Sequence, residues 1–206
     1  AEANYRQAGA FAASGRAYEA LNLYLSLGDY ADARELAHAL SAPDLSLART
    51  LAAGNRHLAR VRRDGTVCAE GDNQYGQCDV GGWTDIVSVA VGEVHTVGLH
   101  IDGSVTAAGS NAFGQCDVSG WRDVRAIAAT SRATVALRAD GTVLCTDPDF
   151  AVSDWRQIVA IAAGWDHIVA LRSDGTLLSC GSDAFGQCRV EECSDVAAIA
   201  AGAEVR

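Results

Sequence analysis

Hydrophobic and polar positions recur along this chain with two different periods, and the change falls near residue 45. In YRQAGAFAASGRAYEALNLYLSLGDYADARELAHAL, residues 5–40, apolar side chains return at intervals of three and four. The sets are Ala8, Phe11 and Ala12, then Ala20, Leu21, Tyr24 and Leu27, then Ala33, Leu36, Ala37 and Leu40. Such spacing lines one face of a helix. Breaks near Gly15 and at Gly28-Asp29 predict three short helices. Ser41-Ala42-Pro43-Asp44 closes this part, because proline disfavours helix in the residue before it.

From Leu47 onward the period is that of strands. LARTLAAGNRHLARVRRDG (47–65), DIVSVAVGEVHTVGLHIDG (85–103), DVRAIAATSRATVALRADG (123–141) and QIVAIAAGWDHIVALRSDG (157–175) are one phrase written four times. Their starts lie 38, 38 and 34 residues apart, and DVAAIAAG opens a fifth copy at Asp195. Each copy has an Ala-rich and β-branched run, a Gly, a second apolar run, an Asp-Gly and a third run such as TVCAEG or TLLSCG. Asp-Gly between alternating segments is a strong hairpin signal, and a type I′ turn with positive φ at both central residues is expected there. Each unit is therefore an antiparallel meander, and a repeat of this length with three or four strands predicts a propeller blade. The fold class is mainly β: a partial β-propeller of four short antiparallel blades (45–206, incomplete at its C-terminus) behind a small α-helical hairpin segment (1–44). Gln and Cys of GQC fall in the outer connection between blades, with a short fourth strand expected there.

Two resemblances follow from these residues. The phrase G-x-x-H-(T/I)-V-x-L-x-x-D-G-(S/T)-(V/L), followed by G-x-(N/D)-x-(Y/F)-G-Q, resembles the regulator of chromosome condensation repeat in its short bacterial form, over residues 47–206. Ala8, Phe11, Gly15, Ala20 and Tyr24 resemble one tetratricopeptide-type helical hairpin, with Asn4 departing from its first aromatic position. The first resemblance implies a propeller, usually of about seven blades, that serves as a protein-binding platform. It also implies two alternatives: guanine nucleotide exchange on a small GTPase, and proteinaceous inhibition of a secreted enzyme. The third copy departs from the pattern. It lacks the Gly-x-Asn-x-x-Gly-Gln segment, and Thr130 and Ala133 replace its Gly and His. The fifth copy stops at Arg206, and the chain holds no Met. Either a longer protein or an arc completed by another chain is expected, and open blade edges would favour self-association.

Composition narrows the choice of partner. A pI near 4.8 and a formal net charge of -10 leave no basic stripe for nucleic acid or an anionic membrane. No run of about 18 apolar residues exists, and the N-terminus lacks signal-peptide character. Seven Cys is an odd count that fits a reducing, cytoplasmic compartment, although localisation stays undecided. The expected partner is a protein of unknown identity.

Repeated polar residues read as architecture. Cys78, Cys116 and Cys188 share one repeat position, as do Gln77, Gln115 and Gln187. Sheets pack about 10 Å apart, beyond the roughly 7 Å limit for a disulfide, so buried structural thiols are expected. Cys68, Cys145 and Cys180 lie in third strands, and Cys193 stands where other copies have Trp83, Trp121 and Trp155. His57, His95 and His167 are equivalent, each three residues after a Gly, and are expected to bond backbone at the strand entrance. Asp64, Asp102, Asp140 and Asp174 belong to their Asp-Gly turns. With no nucleophile elbow, phosphate loop or H-E-x-x-H, the expectation is no catalytic residue, no metal, no cofactor and no enzyme activity. Specialisation should show where copies disagree, in the loop before the periodic His. Arg56, Val94, Arg132, Trp165 and Asp166 are the expected protein-binding residues, Trp and Arg being the types that most often dominate binding energy.

Overall fold

The structure is a computed structural model that describes residues 1–13, 20, 27 and 51–202. It opens with a helix, α1 (Glu2–Ala13). The second and third expected helices fall on residues of which only Ala20 and Leu27 are described, both helical, so the tetratricopeptide-like hairpin lies outside the described residues. Ala8 and Ala20 are fully buried, in one apolar cluster with Val97 and Ile127.

Twelve strands then form four separate three-stranded antiparallel sheets, one per copy of the repeat. The first blade holds β1 (Leu51–Ala53), β2 (His57–Val61) and β3 (Val67–Gly71). The second holds β4 (Ile86–Val91), β5 (His95–His100) and β6 (Val105–Gly109). The third holds β7 (Val124–Ala129), β8 (Thr134–Arg138) and β9 (Val143–Cys145), and the fourth β10 (Ile158–Ala163), β11 (His167–Arg172) and β12 (Leu177–Gly181). Each sheet is a simple meander in sequence order. The connection carrying Gln and Cys is a run of turns, and the expected fourth strand does not form there. Its backbone is committed to local bonds such as Asp79 N to Gly76 O and Val80 N to Cys78 O, which leave no ladder to extend.

The core lies between blades. Three buried clusters occupy the three junctions, and each receives one indole: Trp83 with Val80, Ile86 and Val89, Trp121 with Val118 and Val124, Trp155 with Val152 and Ile158. Packing successive sheets face to face in this way generates an arc about an axis lined by the first strands. Ala and Gly suit those strands because the backbones approach closely. A Cβ on Gly54 would meet Gly92 O at 2.9 Å, and one on Gly92 would meet Thr130 O at 2.6 Å.

The Asp-Gly turns differ from expectation. Gly65, Gly103, Gly141 and Gly175 have φ near +80°, whereas the Asp before each does not enter the left-handed region. Arg62 C=O accepts from Gly65 N at 3.0 Å and Thr66 C=O accepts from Arg62 N at 2.7 Å, a three-residue loop with a glycine bulge. Asp64 Oδ1 accepts from both the amide and the hydroxyl of Thr66, which holds Asp64 out of the I′ geometry. Asp102, Asp140 and Asp174 do the same for Ser104, Thr142 and Thr176.

Candidate protein-binding face

One end of every blade gathers two kinds of loop: the first-to-second strand loop and the outgoing Gln-Cys connection. Gln77 and Gln115 are fully buried, and their Oε1 atoms accept from the amides of Tyr75 and Phe113 at 2.9 and 2.8 Å. Gln187 does the same for Phe185 at 2.9 Å. Asn73 and Asn111 tie the same loops shut, each accepting from the Cys amide and donating to Asp79 or Asp117. Held this way, the aromatic ring has nowhere to go but outward. Tyr75, Phe113 and Phe185 are 51, 57 and 68% exposed. These three residues were missed as contact candidates because their recurrence reads as structure; an aromatic that recurs inside a polar turn, with no apolar neighbours in period, was the available signal.

Exposed Arg132 lies over Phe113, its guanidinium carbon 5.2 Å from the ring centroid. Exposed Arg56 sits between Asp72 (3.4 Å) and Glu93 (3.6 Å), bridging the loops of the first two blades. Val94 and Trp165 are half-buried. Trp165 lines a cavity of about 290 Å³ at the axis, together with Asn55, Glu93 and Ser131. Asp166 is half-buried in the same loop: its Oδ1 accepts from Ser131 Oγ at 2.7 Å, while Trp165 C=O accepts from Ser131 N at 2.7 Å.

Beneath these loops a relay of hydrogen bonds joins blade to blade. Thr96 Oγ1 donates to Gln77 C=O at 2.7 Å, so its lone pairs are left to accept from His57 Nε2 at 2.8 Å. Thr134 Oγ1 likewise donates to Gln115 C=O at 2.7 Å and accepts from His95 Nε2 at 3.2 Å. The proton is thereby fixed on Nε2, and the buried Nδ1 of His57 and His95 has no partner. Through Nε2, His57 and His95 thus bond a hydroxyl of the next blade, where backbone was expected. Burial holds both below the usual imidazole range, His95 at about 4, where the neighbouring His57 adds to the effect. His167 is lowered by burial too, partly opposed by Asp166. At the junction of the third and fourth blades both relay partners are gone, Ala133 and Ile168 standing in their places. The Ser131 bonds and Arg125 Nη2 donating to Ile158 C=O at 3.0 Å link those blades instead.

The cysteines are half-buried, less enclosed than expected, and Cys193 is exposed; all seven are free thiols. Cys78, Cys116 and Cys188 Sγ point at the backbone oxygens of Asp72, Ser110 and Ser182, at 3.3 to 3.4 Å, within the loop. Burial raises the thiol pKa of Cys78 and Cys188, and lifts Cys116 and Cys145 to about 11 and Cys180 to about 12. Among the described residues no group of three His, Cys, Asp or Glu is placed to hold a metal ion, and no helix is long and apolar enough to cross a membrane.

The repeated geometry has a counterpart among known families. Residues 86–115 and 158–187 match the family model of the Regulator of chromosome condensation (RCC1) repeat. These two stretches are similar to RCC1 repeats. They span β4 to the Gln115 turn and β10 to the Gln187 turn, that is, three strands with the repeated histidine and the aromatic loop. The arc of four blades is similar to yeast RCC1 (Prp20) in its complex with Kap60, at 21% identity and a TM-score of 0.55 over 71% of this chain and 47% of that one. It is also similar to the CRINKLY WD40 ectodomain of the Arabidopsis thaliana receptor kinase ACR4 (18%, TM-score 0.59, 74% and 63% covered) and to human WBSCR16 (18%, 0.58, 74% and 55%). These likenesses establish the fold. The chain spans about half the length of the yeast protein. No curated protein matches it by sequence.

Proposed function

We propose that this chain is a non-catalytic protein-binding module that engages its partner through the loop face of the RCC1-type arc. The observation that carries this reading is the set of exposed aromatic rings, Tyr75, Phe113 and Phe185, each on a loop whose backbone amide is held by a glutamine, beside Arg132 and Trp165. An exposed aromatic ring on a loop whose backbone is already fixed offers a large contact area for which the backbone ordering has been accomplished in the free protein. Arg and Trp beside it are the side chains that most often anchor interfaces. The chemistry of other polar groups supports a non-enzyme: His57 and His95 are in blade-to-blade bonds, burial raises the thiol pKa of Cys78, Cys116, Cys145, Cys180 and Cys188, and the repeated Asp carboxylates serve turns.

The test is affinity capture with parent protein and two variants. Arg132→Ala combined with Trp165→Ala should lose the partner that the parent retains. Ala139→Arg, at an exposed hairpin tip on the opposite end of the third blade, should keep it. Retention by the double variant contradicts the loop-face reading. A second reading, regulation of a small GTPase, draws on the fold and on yeast Prp20p, a protein described by its binding of Gsp1p and histones. Accelerated release of labelled nucleotide from a GTPase would support it; unchanged release would oppose it.

A further inference from the structure

Alternate residues of a strand face opposite sides of its sheet, so thiols at one repeat position of successive blades all point the same way and do not meet. Cys145 and Cys180 are different. The pairs Leu137 with Val143 and Leu171 with Leu177 align β9 with β12, and in that alignment the two cysteines are offset by one position along the third strand. Cys145 pairs with Val135, and Cys180 pairs with Ile168. Val135 and Leu137 of the third blade, with Ile168 and Ala170 of the fourth, build the apolar cluster between these two blades, and both cysteines pack half-buried against it. The two thiols therefore converge from opposite walls of a single joint.

The same two positions hold small residues elsewhere. At the first junction they are Ala69 and Ala108, both packed against its cluster, and at the second Ala107 and Thr146. Small side chains at this spot let the sheets come nearer than their usual spacing of about 10 Å, toward the roughly 7 Å between Cα atoms that a disulfide can span. The chain leaving β9 does press on the facing strand: a Cβ on Gly181, next to Cys180, would meet Phe150 Cε1 at 2.8 Å. Cys188 lies on the other side of β12. Ser179, which alternates with Cys180 and so faces away from the third blade, donates its hydroxyl to the Cys188 carbonyl at 2.7 Å, and Cys188 Sγ points at Ser182 O. This joint is also the one that lacks the histidine relay, with Ala133 and Ile168 in its positions.

We infer that Cys145 and Cys180 form a redox site, at which a low-molecular-weight disulfide oxidises the two thiols to one disulfide that staples the third blade to the fourth. The exchange runs in two steps. Cys145 Sγ, its proton released to water, attacks one sulfur of the small disulfide, whose S–S bond breaks; a mixed disulfide forms and the expelled thiolate takes up a proton. Cys180 Sγ, deprotonated in the same way, then attacks the Cys145 sulfur and expels the second small thiolate, which is protonated in turn. Two protein thiols are oxidised and one small disulfide is reduced to two thiols. Burial keeps both cysteines protonated at neutral pH, Cys145 at about 11 and Cys180 at about 12, where Cys145 and Cys188 add to the effect. The reaction is therefore slow, and the joint stays reduced where small disulfides are scarce. Once formed, the bridge closes residues 145–180 into a loop and restrains the unfolded chain.

The test incubates the chain with excess oxidised glutathione, blocks the remaining free thiols with iodoacetamide, and maps the proteolysed monomer by mass spectrometry. A peptide pair joined through Cys145 and Cys180 is expected. The oxidised chain should melt at least about 5 °C above the reduced one, and dithiothreitol should reverse the shift. Cys145→Ala and Cys180→Ala, substitutions that match the first junction, should each lose the linked pair and the shift, whereas Cys188→Ala should keep both. Unreacted thiols, mixed disulfides alone, a bridge from Cys180 to Cys188, a bridge between two copies, or a linked pair with no gain in melting temperature would overturn the inference.

Discussion

His95 illustrates how one repeated residue carries both structure and a pH response. Its ring is fully buried, with Nε2 bonded to Thr134 and Nδ1 without a partner. Thr134→Val would leave the His95 N–H and the Gln115 carbonyl unpaired at once, an expected cost of about 1–3 kcal/mol. Urea unfolding measures it, and a loss under about 0.5 kcal/mol would contradict the relay. The pH dependence has a definite sign. A histidine lowered from 6.5 to about 4 takes up its proton more readily when unfolded, so stability is full above about 6.5 and falls as pH drops toward 4. His95 alone accounts for about 3 kcal/mol of that loss. Asp64, Asp102, Asp140 and Asp174, lowered first by their Thr or Ser hydroxyls, contribute in a separate window, losing their stabilisation only as pH falls below the ordinary carboxylate value of 3.8. Unfolding curves that are flat from pH 6.5 to 4 would show that the histidines are not buried neutral.

At the scale of the element, the four blades are one design with one altered joint. Three junctions each bury an indole, but the relay spans the first two, and the third joint relies on Ser131, Asp166 and Arg125. Asp166→Ala should therefore destabilise by about 1.5 kcal/mol through the lost charge-assisted bond, and the cost should vanish in a Ser131→Ala background. Full additivity of the two in thermal unfolding would contradict the assigned bond. The blades were legible in the sequence because the 38-residue spacing and the strand periods agree, and the Asp-Gly turns mark each hairpin. Details that depend on neighbours were not. The I′ turn gave way because Thr or Ser two residues after Asp captures its carboxylate. The histidine's partner is 39 residues away, beyond any local pattern. Of the expected contact residues, Arg56, Val94, Arg132, Trp165 and Asp166 all lie in the loops between first and second strands, and Asp166 also accepts from a serine of the neighbouring blade, which no local pattern foretells. The aromatic rings went unnoticed since repetition conceals a position that is structural in its backbone and free in its side chain.

For the whole molecule, the arc presents two ends of its blades, and they are chemically unequal. The hairpin end carries Asp-Gly turns whose carboxylates bond within the loop and whose glycine carbonyls accept from the next first strand, while the loop end carries Tyr75, Phe113, Phe185, Arg132 and Trp165. A partner should therefore approach from the loop end. The most direct measurement is site-specific photocrosslinking, with a photoreactive residue placed in turn at Phe113, Arg132, Ala139 and Ser173, the last two being exposed hairpin tips. Covalent adducts with one partner from positions 113 and 132, and none from 139 and 173, are the predicted result. Adducts from the hairpin tips with none from the loop end would contradict the account.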